Sequence, residues 1–157
     1  MGVTTTKTDQ PSSVGVDVTI DSGGAVTDTR PVFLMNPDRR DKRLSILPDI
    51  RFPPELPITA YAAAITSALR DNPTIIVCGD TGSGKTTQLP KIALAAGRGR
   101  HGLIGCTQPR RLATLAMAQR VAEEFGQEPG GFVGYQHRFD KKLSRDSVIK
   151  FMTDGIL

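Results

Sequence analysis

The sequence predicts an α/β fold, a parallel sheet flanked by helices, on three observations. Short β-branched and apolar runs alternate with helical periodicity from about residue 58 onward, a glycine-rich loop joins one such run directly to a helix, and 157 residues suffice for one core. Strand, helix, strand in that order requires crossover connections, and crossovers make the strands parallel.

The elements follow in chain order. Residues 1–30 are rich in Thr, Ser, Gly and Asp and poor in large apolar side chains, a composition that predicts a disordered tail. Within it Val14, Val16, Val18 and Ile20 alternate as a half-exposed strand would, but no partner strand is evident nearby, so weak attachment or disorder is expected. Residues 31–57 scatter six prolines around the basic cluster Arg39-Arg40-Asp41-Lys42-Arg43 and predict an extended segment. Residues 58–157 form the third unit. Thr59 is placed to cap a helix with Ala62, Ile65, Ala68 and Leu69 on one face, ended by Asp71-Asn72-Pro73. Thr74 to Cys78 reads as a strand buried on both faces. A helix follows from Gly84 to about Ala96, with Pro90 near its start, where a missing N–H is best tolerated. Leu103–Cys106, Phe132–Tyr135 and Val148–Met152 read as further strands, and Leu112–Phe125 as a helix. Cys78 and Cys106 end apolar runs without metal-ligand spacing and read as buried free thiols.

Charge separates the chain into two parts. Residues 1–57 hold 7 Lys and Arg against 8 Asp and Glu, whereas residues 58–157 hold 13 against 8, so the positive excess lies with the glycine loop. A basic excess this modest is compatible with a polyanionic partner and equally with a solvated face. No run is long and apolar enough to cross a membrane, and the first twenty residues lack the apolar stretch of a secretory signal, so a cytoplasmic location is expected.

Gly79 to Thr86, GDTGSGKT, satisfies the phosphate-loop spacing G-x-x-x-x-G-K-[ST] directly after a strand and at the opening of a helix. Glycines at 79, 82 and 84 let the backbone curl so that successive N–H groups converge, and the helix N-terminus adds partial positive charge. An anion of phosphate size suits that nest. Thr81, Ser83 and Thr87 complete the ATP-binding set with Gly79, Gly82, Gly84, Lys85 and Thr86. Lys85 reaches β- and γ-phosphates as a mobile charge, and the Thr86 hydroxyl is the candidate ligand for Mg²⁺. The bland alternative is a glycine-rich turn with an exposed lysine.

Three further segments narrow the reading. GDTGSGKTTQLP, then TQPRRLA (Thr107 to Ala113), GYQHRFD (Gly134 to Asp140) and TDGIL (Thr153 to Leu157) resemble, in order and spacing, motifs I, Ia, an intervening strand-loop and Ib of the DEAH-box RNA helicases. Gly97 to Arg111 and Phe52 to Ile58 most resemble a bacterial branch of that family. The resemblance covers about Ile46 to Leu157. It implies a P-loop NTPase domain of RecA-like fold, ATP and Mg²⁺ as cofactors, and single-stranded RNA, or a duplex with a single-stranded end, as partner. It also implies that Thr107, Gln108, Arg110, Arg111, Thr153 and Asp154 touch the nucleic-acid backbone, a use compatible with Thr153 or Asp154 capping a helix. Arg138 is placed to hold its loop by pairing with Asp140 or with an acid elsewhere. Asp80 stands where the family usually has Glu. The DEAH box itself does not occur in the 157 residues, so the catalytic set is incomplete (no Walker B strand) and the chain is expected to act as an N-terminal fragment of an ATP-dependent helicase, inactive alone. The alternative is a nucleotide-binding interaction module without hydrolysis. No membrane contact or obligate protein partner is indicated.

Overall fold

The computed structural model describes residues 16–19, as backbone, and 48–157. The rest of the tail and the Arg39–Arg43 cluster lie outside the described residues. The fold is α/β, with a mostly parallel mixed sheet flanked by helices. Its strands are β1 (Val16–Thr19), β2 (Ile76–Gly79), β3 (Ile104–Gln108), β4 (Val133–His137), β5 (Asp140–Lys142) and β6 (Ile149–Thr153). The helices are α1 (Ala62–Asp71), preceded by a 3₁₀ turn over Pro57–Tyr61, then α2 (Lys85–Ala95) and α3 (Arg111–Glu124), with a last 3₁₀ turn over Asp154–Ile156.

The larger sheet has the order β3-β6-β4-β5. β3, β6 and β4 are parallel, as the crossover argument requires, and β6 threads between the two strands that α3 connects. β5 was not foreseen. It is antiparallel to β4 at the sheet edge, and its sequence, Asp-Lys-Lys, is exposed throughout and carries no apolar alternation to read. The strand before the glycine loop departs further from expectation: among the described residues β2 pairs with β1, antiparallel, in a separate two-stranded sheet. The valine-rich stretch of the tail therefore has a partner after all, with Val16 opposite Gly79 and Thr19 opposite Ile76. The strand expected to be buried on both faces alternates between exposed and half-buried positions, with Ile76 51% exposed.

Two apolar clusters hold the helices. Val133, Ile149 and Phe151 of the larger sheet pack against Ala118, Val121 and Ala122 of α3. Ile58, Ala62, Ile65 and Ile92 form the second cluster, backed by Leu56, Leu69 and Val77. α2 joins them, because Ile92 and Leu94 are two residues apart and point to different clusters. Of the two cysteines, Cys78 is exposed, against expectation, because its face of β2 is uncovered. Cys106 is half-buried, and burial pushes its thiol up to about 12.

The first helix begins two residues later than the Thr59 cap predicts. Pro57 opens a 3₁₀ turn instead, and Tyr61 takes the capping position without a side-chain hydrogen bond. Thr59 is used differently: its hydroxyl donates to Pro53 O at 2.6 Å and ties the proline segment to the turn. Replacing it in Thr59→Val should cost about 1 kcal/mol of stability in urea titration, with Thr59→Ser nearer wild type. An unchanged midpoint in the valine variant would contradict the role given to this bond.

Candidate nucleotide site and nucleic-acid face

β2 ends at Gly79 and α2 begins at Lys85, so the glycine loop spans a strand end and a helix N-terminus. Gly82 and Gly84 adopt φ of 85° and 90°, the left-handed region in which a side chain is strained. At Gly84 the space is closed as well: a Cβ would lie 3.1 Å from Leu56 Cδ1 and 3.2 Å from Ile58 Cγ2. Ile58 N donates to Ser83 O at 3.1 Å, so the segment before α1 braces the loop through both backbone and side chains. Lys85 folds back over the loop. Its Nζ donates to Gly79 O at 2.5 Å, Asp80 O at 2.6 Å and Ser83 Oγ at 3.1 Å, which uses all three ammonium donors.

Thr86 lies on the wall of two clefts. One, of about 500 Å³, runs from Thr81, Gly82 and Lys85 to Met117, Arg120 and Glu124 of α3. These three α3 residues were missed by sequence reading, although their spacing of three and four places them on one helix face toward the loop. The other, of about 470 Å³, lies between β2 and β3 and is lined by Val77, Leu89, Cys106 and Gln108 together with Lys85 and Thr86. Among the described residues no group of three His, Cys, Asp or Glu is gathered to hold a metal ion. The Thr86 hydroxyl, the ligand expected from the sequence, is a hard oxygen donor of the kind that suits Mg²⁺.

Behind the first cleft a buried polar network joins α2 to α3. Glu124 accepts from Lys91 Nζ at 2.7 Å, Gln88 Nε2 at 2.9 Å and Arg120 Nε at 3.2 Å. Burial pushes the Glu124 carboxyl up, but the hydrogen bonds from Lys91 and Gln88 and the charges of Lys91 and Arg120 outweigh it, leaving the group below the ordinary 4.5. The depressed value belongs to the folded state, so the stability it contributes is complete above about pH 4.5 and is lost as pH falls through the folded-state value. Thermal midpoints of wild type should therefore drop more steeply below pH 4.5 than those of Glu124→Gln, and parallel curves would contradict this.

The other predicted residues assemble at the ends of β3 and β6. Thr107 and Gln108 finish β3, Thr153 finishes β6, and the parallel register sets Gln108 opposite Thr153 although 45 positions separate them in the chain. Arg110 occupies the capping position of α3 and Arg111 its first turn. The β4–β5 turn reaches the same place: the guanidinium of Arg111 lies 5.5 Å from the Phe139 ring centroid, and that of Arg138 5.4 Å from it. Phe139 is 71% exposed between them, a residue the sequence reading passed over as part of a loop. Contrary to one expectation, Arg138 forms no ion pair with Asp140. Asp140 Oδ2 accepts instead from Tyr135 Oη at 2.8 Å, a bond that lowers the Asp140 carboxyl and raises the Tyr135 hydroxyl.

Comparison with known proteins finds relatives that match about two thirds of the chain. Over 110 residues the chain is 54% identical to the ATP-dependent RNA helicase HrpA of Escherichia coli (strain K12), a match covering 70% of this chain and 8% of that protein. It is 54% identical over 104 residues to the probable ATP-dependent RNA helicase DHX40 of Homo sapiens, covering 66% of this chain and 13% of that one. The matched stretch is homologous to proteins named as ATP-dependent RNA helicases. It is also 50% identical over 109 residues to the ATP-dependent RNA helicase DEAH13 of Arabidopsis thaliana, covering 66% of this chain and 9% of that protein. The chain thus spans about a tenth of the length of the curated relatives it matches. No protein-family model matches it.

At the end of β6 one expected detail differs. Thr153 precedes the last 3₁₀ turn but makes no side-chain cap, and Asp154 lies inside that turn, exposed. Neither side chain is committed to the backbone by a capping bond. Both stand beside the end of the β3–β6 ladder, where strand ends in α/β sheets present their ligand-facing groups.

Proposed function

We propose that this chain carries the nucleotide-binding part of a RecA-like P-loop motor domain, one that in a complete enzyme couples ATP binding and hydrolysis to RNA unwinding or remodelling. Lys85 at the centre of the glycine loop carries the reading. Its three donors already rest on loop oxygens, so a triphosphate entering the nest exchanges one set of acceptors for another. Gly79, Thr81, Gly82, Ser83, Gly84 and Thr87 would frame the phosphates, and Thr86 would hold Mg²⁺. When bound, that ion would supply positive charge to neutralise the phosphates. The first cleft leads from the loop to Arg120 and Met117, which gives the nucleoside end of the ligand a place on α3. Without an acidic strand to position metal and water, the 157 residues bind nucleotide and turn it over no faster than the uncatalysed level.

The RNA surface of this proposal is the set Thr107, Gln108, Arg110, Arg111, Thr153 and Asp154, with Arg138 and Phe139 added from the β4–β5 turn. Hydroxyl, amide and guanidinium groups suit sugar and phosphate rather than base edges, and an exposed ring suits stacking on any base. Titration of the full chain with Mg-ATP, with and without single-stranded poly-U RNA, tests both halves. For RNA, Arg111→Ala should weaken binding and lower the slope of log affinity against log salt by about 1, the signature of one lost phosphate contact. An unchanged slope with unchanged affinity would remove Arg111 from the surface. Mg-ATP binding with no response to RNA would favour the nucleotide-binding interaction module.

A further inference from the structure

The carboxylate of Glu124 is shared in a way that structural pairing alone does not require. One oxygen, Oε2, takes both inner donors, Lys91 Nζ and Gln88 Nε2, from residues that are 1% and 0% exposed. The other, Oε1, faces outward and accepts from Nε of Arg120, one helical turn earlier and 57% exposed. Two buried donors thus fix a carboxylate that in turn holds an exposed guanidinium. Gln88 Oε1 is left buried without a partner, so the amide is oriented by what its nitrogen serves, Glu124 and Thr87, and not by its own full satisfaction. Thr87, Glu124 and Arg120 all line the cleft that leads away from the phosphate loop. An arginine tethered through Nε keeps its planar face and its two terminal nitrogens available, the parts of the group that stack on a ring or donate to hydroxyls.

We propose that Glu124, anchored by Lys91 and Gln88, is a positioning residue that holds Arg120 against the nucleoside end of the ligand and so sets how strongly the chain prefers a nucleoside triphosphate to a bare triphosphate. The inference rests on the nucleotide reading above. It adds a link between the loop helix and the nucleoside end: Gln88 and Lys91 follow Thr86 and Thr87 on α2, so the same helix that opens at the phosphates fixes the arginine on α3.

The test is equilibrium titration of the full chain with Mg-ATP and, separately, with inorganic tripolyphosphate and Mg²⁺. Arg120→Ala should weaken ATP about tenfold, the order of one stacking or charged contact, and leave tripolyphosphate unchanged. Glu124→Gln should lose most of the same preference, and adding it to Arg120→Ala should change the ATP-to-tripolyphosphate ratio no further. Arg120→Lys, which leaves the buried pair intact and so guards against a folding defect in Glu124→Gln, should behave like Arg120→Ala because an ammonium has neither Nε nor a planar face. A merely structural Glu124 would weaken both ligands alike or leave both unchanged, and either result overturns the proposal, as does a preference retained in Arg120→Lys. Failure of wild type to bind tripolyphosphate at all, or equal binding by Lys85→Ala, would overturn the phosphate-loop reading and this inference with it. Tripolyphosphate binding that depends on Lys85, combined with an ATP preference indifferent to Glu124, overturns this inference alone.

Discussion

Lys85→Ala should abolish useful nucleotide binding, weakening Mg-ATP by about 100-fold or more, the scale on which loss of one preorganised charged donor is felt. The ammonium is the mobile positive charge of the loop. Its present acceptors, two carbonyls and a hydroxyl, are neutral, whereas a triphosphate is multiply charged, so exchange favours the ligand. Fold stability should change little, because the oxygens that Lys85 leaves behind stand at a partly open loop where water replaces it. Lys85→Arg should fail almost as badly, since a rigid planar fork cannot take the place of a compact ammonium. Calorimetric titration of the three proteins decides the matter, and wild-type affinity in Lys85→Ala would sink the assignment of the loop.

The largest effect on stability is expected at Lys91. Its side chain is 1% exposed, its Nζ is 2.7 Å from Glu124 Oε2, and the rings of Phe52 and Phe125 stand 5.5 and 5.8 Å from the ammonium. Lys91→Ala removes the charge, leaves Glu124 with a buried oxygen short of its main donor, and opens a void between the two rings. Breaking such a pair from one side costs about 3–5 kcal/mol, a large part of the stability of a small domain. The double replacement Lys91→Met with Glu124→Leu removes both charges and keeps the volume, and should recover most of that loss. Urea unfolding of the single and double variants measures it. A single variant as stable as wild type would mean the pair contributes nothing to the native state.

Much of the geometry of the candidate nucleotide site was legible because it is local. The loop spacing, the strand before it and the helix after it occupy fewer than twenty consecutive positions, and backbone geometry follows from glycines at fixed offsets. The strands β3, β4 and β6 were found within one or two residues for a similar reason: each contains a short, mostly apolar run. What escaped depends on contacts between distant positions. β1 was discounted because its partner lies some sixty residues away, and β5 because three exposed polar residues pair only by virtue of the turn that returns them to β4. The Glu124 network was hidden by composition, since a buried lysine and glutamine on α2 look like any solvated face until α3 covers them. Thr59 misled because a residue suited to capping sat two positions after a proline that starts a tighter turn. Phe139 could have been suspected from its setting, an aromatic flanked by arginine in a hairpin turn, but the partner that gives it meaning, Arg111, comes from another motif.

The brace beneath the glycine loop bears on how the molecule can be taken apart. Leu56 and Ile58 close over Gly84, and Phe52 lies against Lys91, so residues that precede every recognisable motif supply the floor on which the first motif rests. A dissection that began at α1 would retain each letter of the phosphate loop and discard its support. The smallest piece able to present that loop in this shape begins before Phe52, upstream of where inspection of the motif alone would place the cut.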